Sequence, residues 1–281
     1  MTLETWVALG AGVLLTAAGV AQGSVLLKVG PRPGRRDQLA AGARLGGAAI
    51  LTVAVILAAI AHGEWSPSDP RQVALDLTLA ALVIHLVLGW QLGVGSAGPV
   101  VDVVALILVV VGAIAVWPGG PLLTCAQRAV PFWAQWALFL LGSGGVIVAG
   151  SAGLMEMIQA WMARRGRHLR LPRQADTHTL LRQATSLALV ALGSGLAVSV
   201  WWAWQTAGLL TDGDPRAGWI AATWLAAAMS ELAWWLDRRS PVSDQGDRAG
   251  QWAAGLAIAA AVVAILGLLA VVDLRHLLGT W

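Results

Sequence analysis

Residues 200–225 read VWWAWQTAGLLTDGDPRAGWIAATWL and hold five of the chain's 16 Trp: Trp201, Trp202, Trp204, Trp219 and Trp224. Long apolar segments lie on both sides. The stretch therefore reads as a Trp-rich loop, residues 201–215, joining two membrane-spanning helices. The amphipathic indole prefers the headgroup level of a bilayer, which explains Trp gathered at a membrane boundary. A wide aromatic shelf also stacks against a large flat ligand. Both readings are open from these residues alone. Within the stretch, Asp214 suits an N-cap, because its carboxylate accepts from the amides of a first helical turn. Pro215 then takes the first helical position, where a missing N–H costs nothing. The seventh span is expected to start at this Asp-Pro pair.

Working outward, the 281 residues are 58% hydrophobic and 12% charged, which excludes a soluble globular domain. The apolar residues fall into runs of about 20, the length that crosses a ~30 Å hydrocarbon layer. Spans are predicted at residues 5–27, 45–62, 73–94, 100–117, 132–162, 179–200, 216–236 and 249–272. The expected fold is all-α: a polytopic integral membrane bundle of about eight transmembrane helices, forming one domain, residues 1–281. The N-terminal segment lacks a basic start and its apolar run is long for a signal peptide, so the first span is expected to be retained. Gly145, Ala149 and Gly153 recur every four positions in the fifth span, which predicts close helix approach.

The formal charge is +3 and Lys28 is the only Lys. The Arg residues sit in short loops, so they report topology and anionic lipid, not nucleic acid. Loops after spans one, five and seven are basic: Lys28 with Arg32, Arg35, Arg36 and Arg44, then RRGRHLRLPR, then DRRSPVSDQGDR. Loops after spans two, four and six are poor in Arg. The positive-inside rule puts the first set in the cytoplasm. Both termini, the Trp-rich loop, Cys125, His62 and His276 are then expected on the outer side of the cell's inner (cytoplasmic) membrane. Cys125 is the sole Cys, which excludes an internal disulfide and any CxxC or CxxCH chemistry.

Asp214-Pro215-Arg216, Trp219 and Thr223-Trp224-Leu225 resemble the DP[KR]xxWxxxTWL segment of the cytochrome c assembly membrane proteins of the CcsA, ResC and CcmC type. Arg182 opening the sixth span and Trp201-Trp202-Ala203 closing it are similar to that family's approach to its Trp-rich loop. The resemblance implies a membrane protein that holds haem at the outer face and presents it to apocytochrome c. It further implies that Trp201, Trp202, Trp204, Trp219 and Trp224 cup the haem and that Asp214 fixes the loop. His276 matches the family's outer His after the eighth span, and His85 matches an earlier intramembrane His by position. The implied partners are haem, apocytochrome c and other membrane subunits, with at most part of a haem lyase activity. The chain differs from the family before Asp214, where Leu209, Leu210, Thr211, Asp212 and Gly213 replace a WxWD-like ending. No His occurs at residues 135–137, and Glu231 and Leu232 occupy a third His region.

Haem iron takes neutral His as its usual ligand. His62 and His276 at the outer boundary could bracket a plate over Trp201–Trp204, although snorkelling at a helix end is the preferred explanation of both. An imidazole at His85, mid-span, must face the bundle interior and find a partner, as ligand or as structural residue. His168 and His178 read as solvated. Glu156, Glu231 and Arg182 fall toward the same side, and Arg182 is expected to pair with one or both acids. The spans show no continuous polar chain, which argues against a pump or antiporter. A different class of reading also fits: a structural subunit of a larger respiratory or photosynthetic membrane complex that keeps the fold without the haem site.

Overall fold

The computed structural model describes residues 3–26, 33–62, 69–92, 98–114, 130–165, 174–207, 215–237 and 246–277. Among these the chain forms eight helices and no strand: α1 (Leu3–Leu26), α2 (Pro33–His62), α3 (Pro70–Leu92), α4 (Gly98–Ile114), α5 (Val130–Arg164), α6 (Gln174–Ala207), α7 (Pro215–Asp237) and α8 (Gly246–Leu277). The molecule is an all-α membrane bundle. Five helices are long and apolar enough to cross a bilayer: α2, α3, α5, α6 and α8. Shorter apolar stretches lie in α1 (Leu9–Ala18) and α4 (Gly98–Ala113). The 23-residue α7 is long enough, and its four Trp and Glu231 make it less apolar.

Helix starts follow local chemistry. Asp69 precedes Pro70, and its Oδ1 accepts from the Arg71 amide at 2.9 Å. Pro70 opens α3 without loss of a hydrogen bond. The same Asp-Pro pattern precedes α7, which begins at Pro215 as the sequence predicts, although Asp214 itself lies outside the described residues. Hydroxyls inside the helices bond back to the carbonyl four residues earlier: Thr16 to Gly12, Thr78 to Ala74, Ser151 to Ile147 and Thr185 to Leu181. Such bonds satisfy a hydroxyl where no water reaches it.

The consecutive helices α3 and α4 run antiparallel, as do α7 and α8. Gly112, late in α4, sits against Arg71 and Ala74, early in α3, and Gly267, late in α8, sits against Trp219, early in α7. The end of the bundle where α6 finishes and α7 begins is termed the Trp-rich end. The opposite end, where α5 finishes at Arg164 and α6 begins, is termed the Arg-rich end.

The central helix is α5. A Cβ at Gly144 would come within 2.9 Å of the α3 backbone at Ala80 and Ala81. At Gly145 it would meet Ala184 and Ala188 of α6, and at Gly153 the Ala254 carbonyl of α8 at 2.8 Å. Small residues thus admit three helices to van der Waals contact with one, the expected use of such residues where lipid removes the hydrophobic drive between helices. The expected stripe of Gly145, Ala149 and Gly153 serves two neighbours, α6 and α8, because adjacent helices share its flanks. Residues of α1 to α4 form one packed core around Leu15, Leu51, Leu75 and Val101. Residues of α3 to α8 form another, around Ile147, Leu181, Ala254 and Trp234.

Candidate functional site

The Trp-rich stretch divides into two parts. Trp201, Trp202 and Trp204 are on the last turns of α6, which continues to Ala207, so the loop expected from residue 201 starts later. No Gly or Pro interrupts residues 200–207, and the Thr206 hydroxyl donates to the Trp202 carbonyl at 2.8 Å. Nothing in the local chemistry stops the helix at the bilayer boundary. Trp201 and Trp204, three residues apart, share a helix face and are 53% and 58% exposed. Trp202 is half-buried, with its ring 6.3 Å from that of Trp201 and the planes tilted by 47°.

Trp219 and Trp224 do different work. Trp224 Nε1 donates to the Leu189 carbonyl of α6 at 3.2 Å. Its indole fills the space above Gly193, where a Cβ would come within 3.1 Å of that nitrogen. Trp219 packs on Gly267 of α8, where a Cβ would sit 2.9 Å from its own Cβ. These two side chains fasten α7 to α6 and α8 near the Trp-rich end. The two exposed indoles of α6 lie eight and eleven residues past Gly193 (201 − 193 and 204 − 193).

The structure does not bring His85 to this place. His85 is buried on α3, and its neighbours Ile84 and Leu88 belong to the same core as Leu180 and Leu181 at the start of α6. From Leu181 to Trp201 is twenty residues (201 − 181), roughly 30 Å of helix at about 1.5 Å per residue. His85 Nδ1 is buried without a hydrogen-bond partner. His62 closes α2 and His276 lies in the last turn of α8, both helices that run toward the Trp-rich end. The side chains of His62 and His276, and all of Asp214 and Cys125, lie outside the described residues.

No protein-family model matches the chain, and no curated protein matches it. Its chemistry is therefore read from its own residues. Among the described residues, no group of three or more His, Cys, Asp or Glu is gathered as a metal site.

Two polar junctions inside the bundle differ from the sequence expectation. Arg44, expected in the first basic loop, is on α2 and 3% exposed. Its Nε and Nη2 donate to Asp102 Oδ1 and Oδ2 of α4, each at 2.7 Å. The helix starts twelve residues earlier than the predicted span, because residues 33–44 hold no breaker after Pro33 except small Gly34 and Gly42. A bidentate partner on the facing helix makes the burial of a guanidinium tolerable. The sequence signal was an opposite charge near the start of another span, at Asp102.

The second junction replaces the expected pairing of Arg182. Arg182 is exposed, and Glu156 of α5 is bonded to His178 of α6, Nδ1 to Oε1 at 3.0 Å. The His178 ring also meets Trp234 of α7 edge-on, with centroids 3.9 Å apart. Gly250 of α8 leaves room beside both, since a Cβ there would lie 3.5 Å from Glu156 Oε1 and His178 Cε1. His178 thus sits on α6 at a four-helix junction at the Arg-rich end, and its side chain stays partly solvated, at 35% exposure. Close by, Gln159 donates to the Thr177 hydroxyl at 3.2 Å. Glu231 Oε2 and Glu156 Oε2 are buried without a hydrogen-bond partner.

Proposed function

We propose that this chain handles haem in the manner of cytochrome c biogenesis proteins, holding it at the Trp-rich end for transfer to apocytochrome c. The observation that supports this reading best is the pair Trp201 and Trp204, both exposed on one face of α6. Exposed indoles at a fixed spacing stack on a planar macrocycle with little further ordering. In this reading Trp201, Trp202 and Trp204 carry the porphyrin, His276 and His62 supply axial nitrogens, and Asp214 starts α7 and fixes the loop. Trp219 and Trp224 act from behind, by holding α7 in place. In this reading the Trp-rich end faces the outer side of the cytoplasmic membrane, a placement that the Arg-rich loops favour. In this reading other membrane subunits complete any haem lyase, and the chain supplies at most part of that activity.

The test is an absorption spectrum of the detergent-purified chain, oxidised and reduced, beside His276→Ala and His62→Ala. A Soret band that shifts on reduction and weakens in His276→Ala is the expected result. A second reading, a structural subunit of a larger respiratory or photosynthetic complex, is favoured by one observation: Trp219 and Trp224 are engaged in helix packing. A chain that shows no Soret band and co-purifies with other membrane subunits would select that reading.

A further inference from the structure

The last three turns of α5 present a surface that the haem reading does not use. Leu154, Met157, Ile158 and Trp161 are all exposed, and their spacing puts them on one stripe of the helix. The stripe ends in two guanidinium groups that are held in position. Arg165 lies over the Trp161 ring, 4.1 Å from its centroid. Its amide bonds to the Met162 carbonyl at 3.1 Å, which turns the chain tightly at the helix end. Arg164 Nη2 donates to Gln251 Oε1 of α8 at 2.7 Å.

The helix end alone explains one Arg, because cations complement the carbonyl terminus of a helix dipole. It does not explain an apolar stripe that continues directly into both guanidiniums. From Leu154 to Arg165 is eleven residues (165 − 154), roughly 16 Å at about 1.5 Å per residue. That is about half of a ~30 Å hydrocarbon core, the depth of one leaflet. An indole at the boundary then marks the glycerol level, and the guanidiniums reach the phosphate level. Gln251 uses one nitrogen of Arg164 and leaves its other donors for a ligand.

We infer that this stripe binds one anionic phospholipid, with an acyl chain along Leu154, Met157 and Ile158 and its phosphate on Arg164 and Arg165. Two cations held together favour a lipid of net negative charge over a zwitterion, whose ammonium group opposes them. Such a lipid ties α5 to the start of α8 across the Arg164–Gln251 bond.

Native mass spectrometry of the full chain, extracted from nanodiscs of equal phosphatidylglycerol and phosphatidylcholine, tests the site. The wild type should retain phosphatidylglycerol in preference. Arg164→Ala with Arg165→Ala should lower that retention by roughly tenfold or more. Arg182→Ala, which removes an exposed cation of α6 outside the stripe, should leave it unchanged. Equal retention by wild type and double variant overturns the inference, as does equal retention of the two lipids. An equal loss in Arg182→Ala also overturns it, because the attraction would then be a property of overall charge.

Discussion

Arg44 of α2 and Asp102 of α4 face each other as a bidentate ion pair inside the bundle, with both nitrogen–oxygen distances at 2.7 Å. The pair ties the second helix to the fourth. An ionisable group inside a membrane bundle needs such a partner. The physical consequence is asymmetric. Removing one partner leaves the other charge buried and alone, whereas removing both leaves an ordinary apolar contact.

Arg44→Met is therefore expected to destabilise by about 3–5 kcal/mol, and Asp102→Leu similarly. The double variant Arg44→Met with Asp102→Leu should recover most of that loss. The thermal unfolding midpoint in detergent measures all three. A double variant as unstable as the worse single variant would show that the pair does more than compensate its own burial.

Close approach around α5 makes a second prediction. Gly153→Ala puts a methyl 2.8 Å from a backbone carbonyl of α8, and Gly144→Ala puts one 2.9 Å from the α3 backbone. Neither obstacle is a flexible side-chain tip. Each variant should lose about 1–3 kcal/mol through overpacking. Gly255→Ala meets nothing within 4 Å and should stay within about 0.5 kcal/mol of wild type. Equal losses at Gly153 and Gly255 would contradict the central place of α5.

Much of this architecture is legible in the sequence, for a plain reason. Runs of about 20 apolar residues have one solution in a bilayer, so eight helices follow from length and hydropathy. The small-residue repeat at Gly145 and Gly153 likewise announces close packing. Ion pairing is a different matter. Arg44 looks like a loop charge because its neighbours in the first 44 residues are basic, and only the approach of α4 shows that it is inside. Glu156 finds His178 and not Arg182 because the partner depends on helix rotation, which a few residues of sequence do not fix. The split of the Trp residues was hidden for the same reason. Trp201 and Trp224 look alike in sequence, yet only the facing Gly193 and the Leu189 carbonyl turn Trp224 into a packing residue.

That split predicts opposite phenotypes. Trp224→Phe loses the bond to the Leu189 carbonyl and should cost about 1 kcal/mol of stability. Trp201→Ala removes an exposed ring and should leave the unfolding midpoint within the range of surface substitutions, about 0.5 kcal/mol. Chemical denaturation in mixed micelles separates the two. A large loss in Trp201→Ala would mean that its indole is part of the fold.

The haem reading rests on those uncovered rings, and a haem titration of the purified chain tests it most directly. The wild type should develop a saturable Soret band. Trp201→Ala with Trp204→Ala should weaken haem binding by roughly tenfold while keeping the wild-type unfolding midpoint. Trp224→Phe should bind with wild-type affinity. A wild-type chain that gives no Soret band, or a double variant that binds as tightly as wild type, would contradict a haem platform at the end of α6.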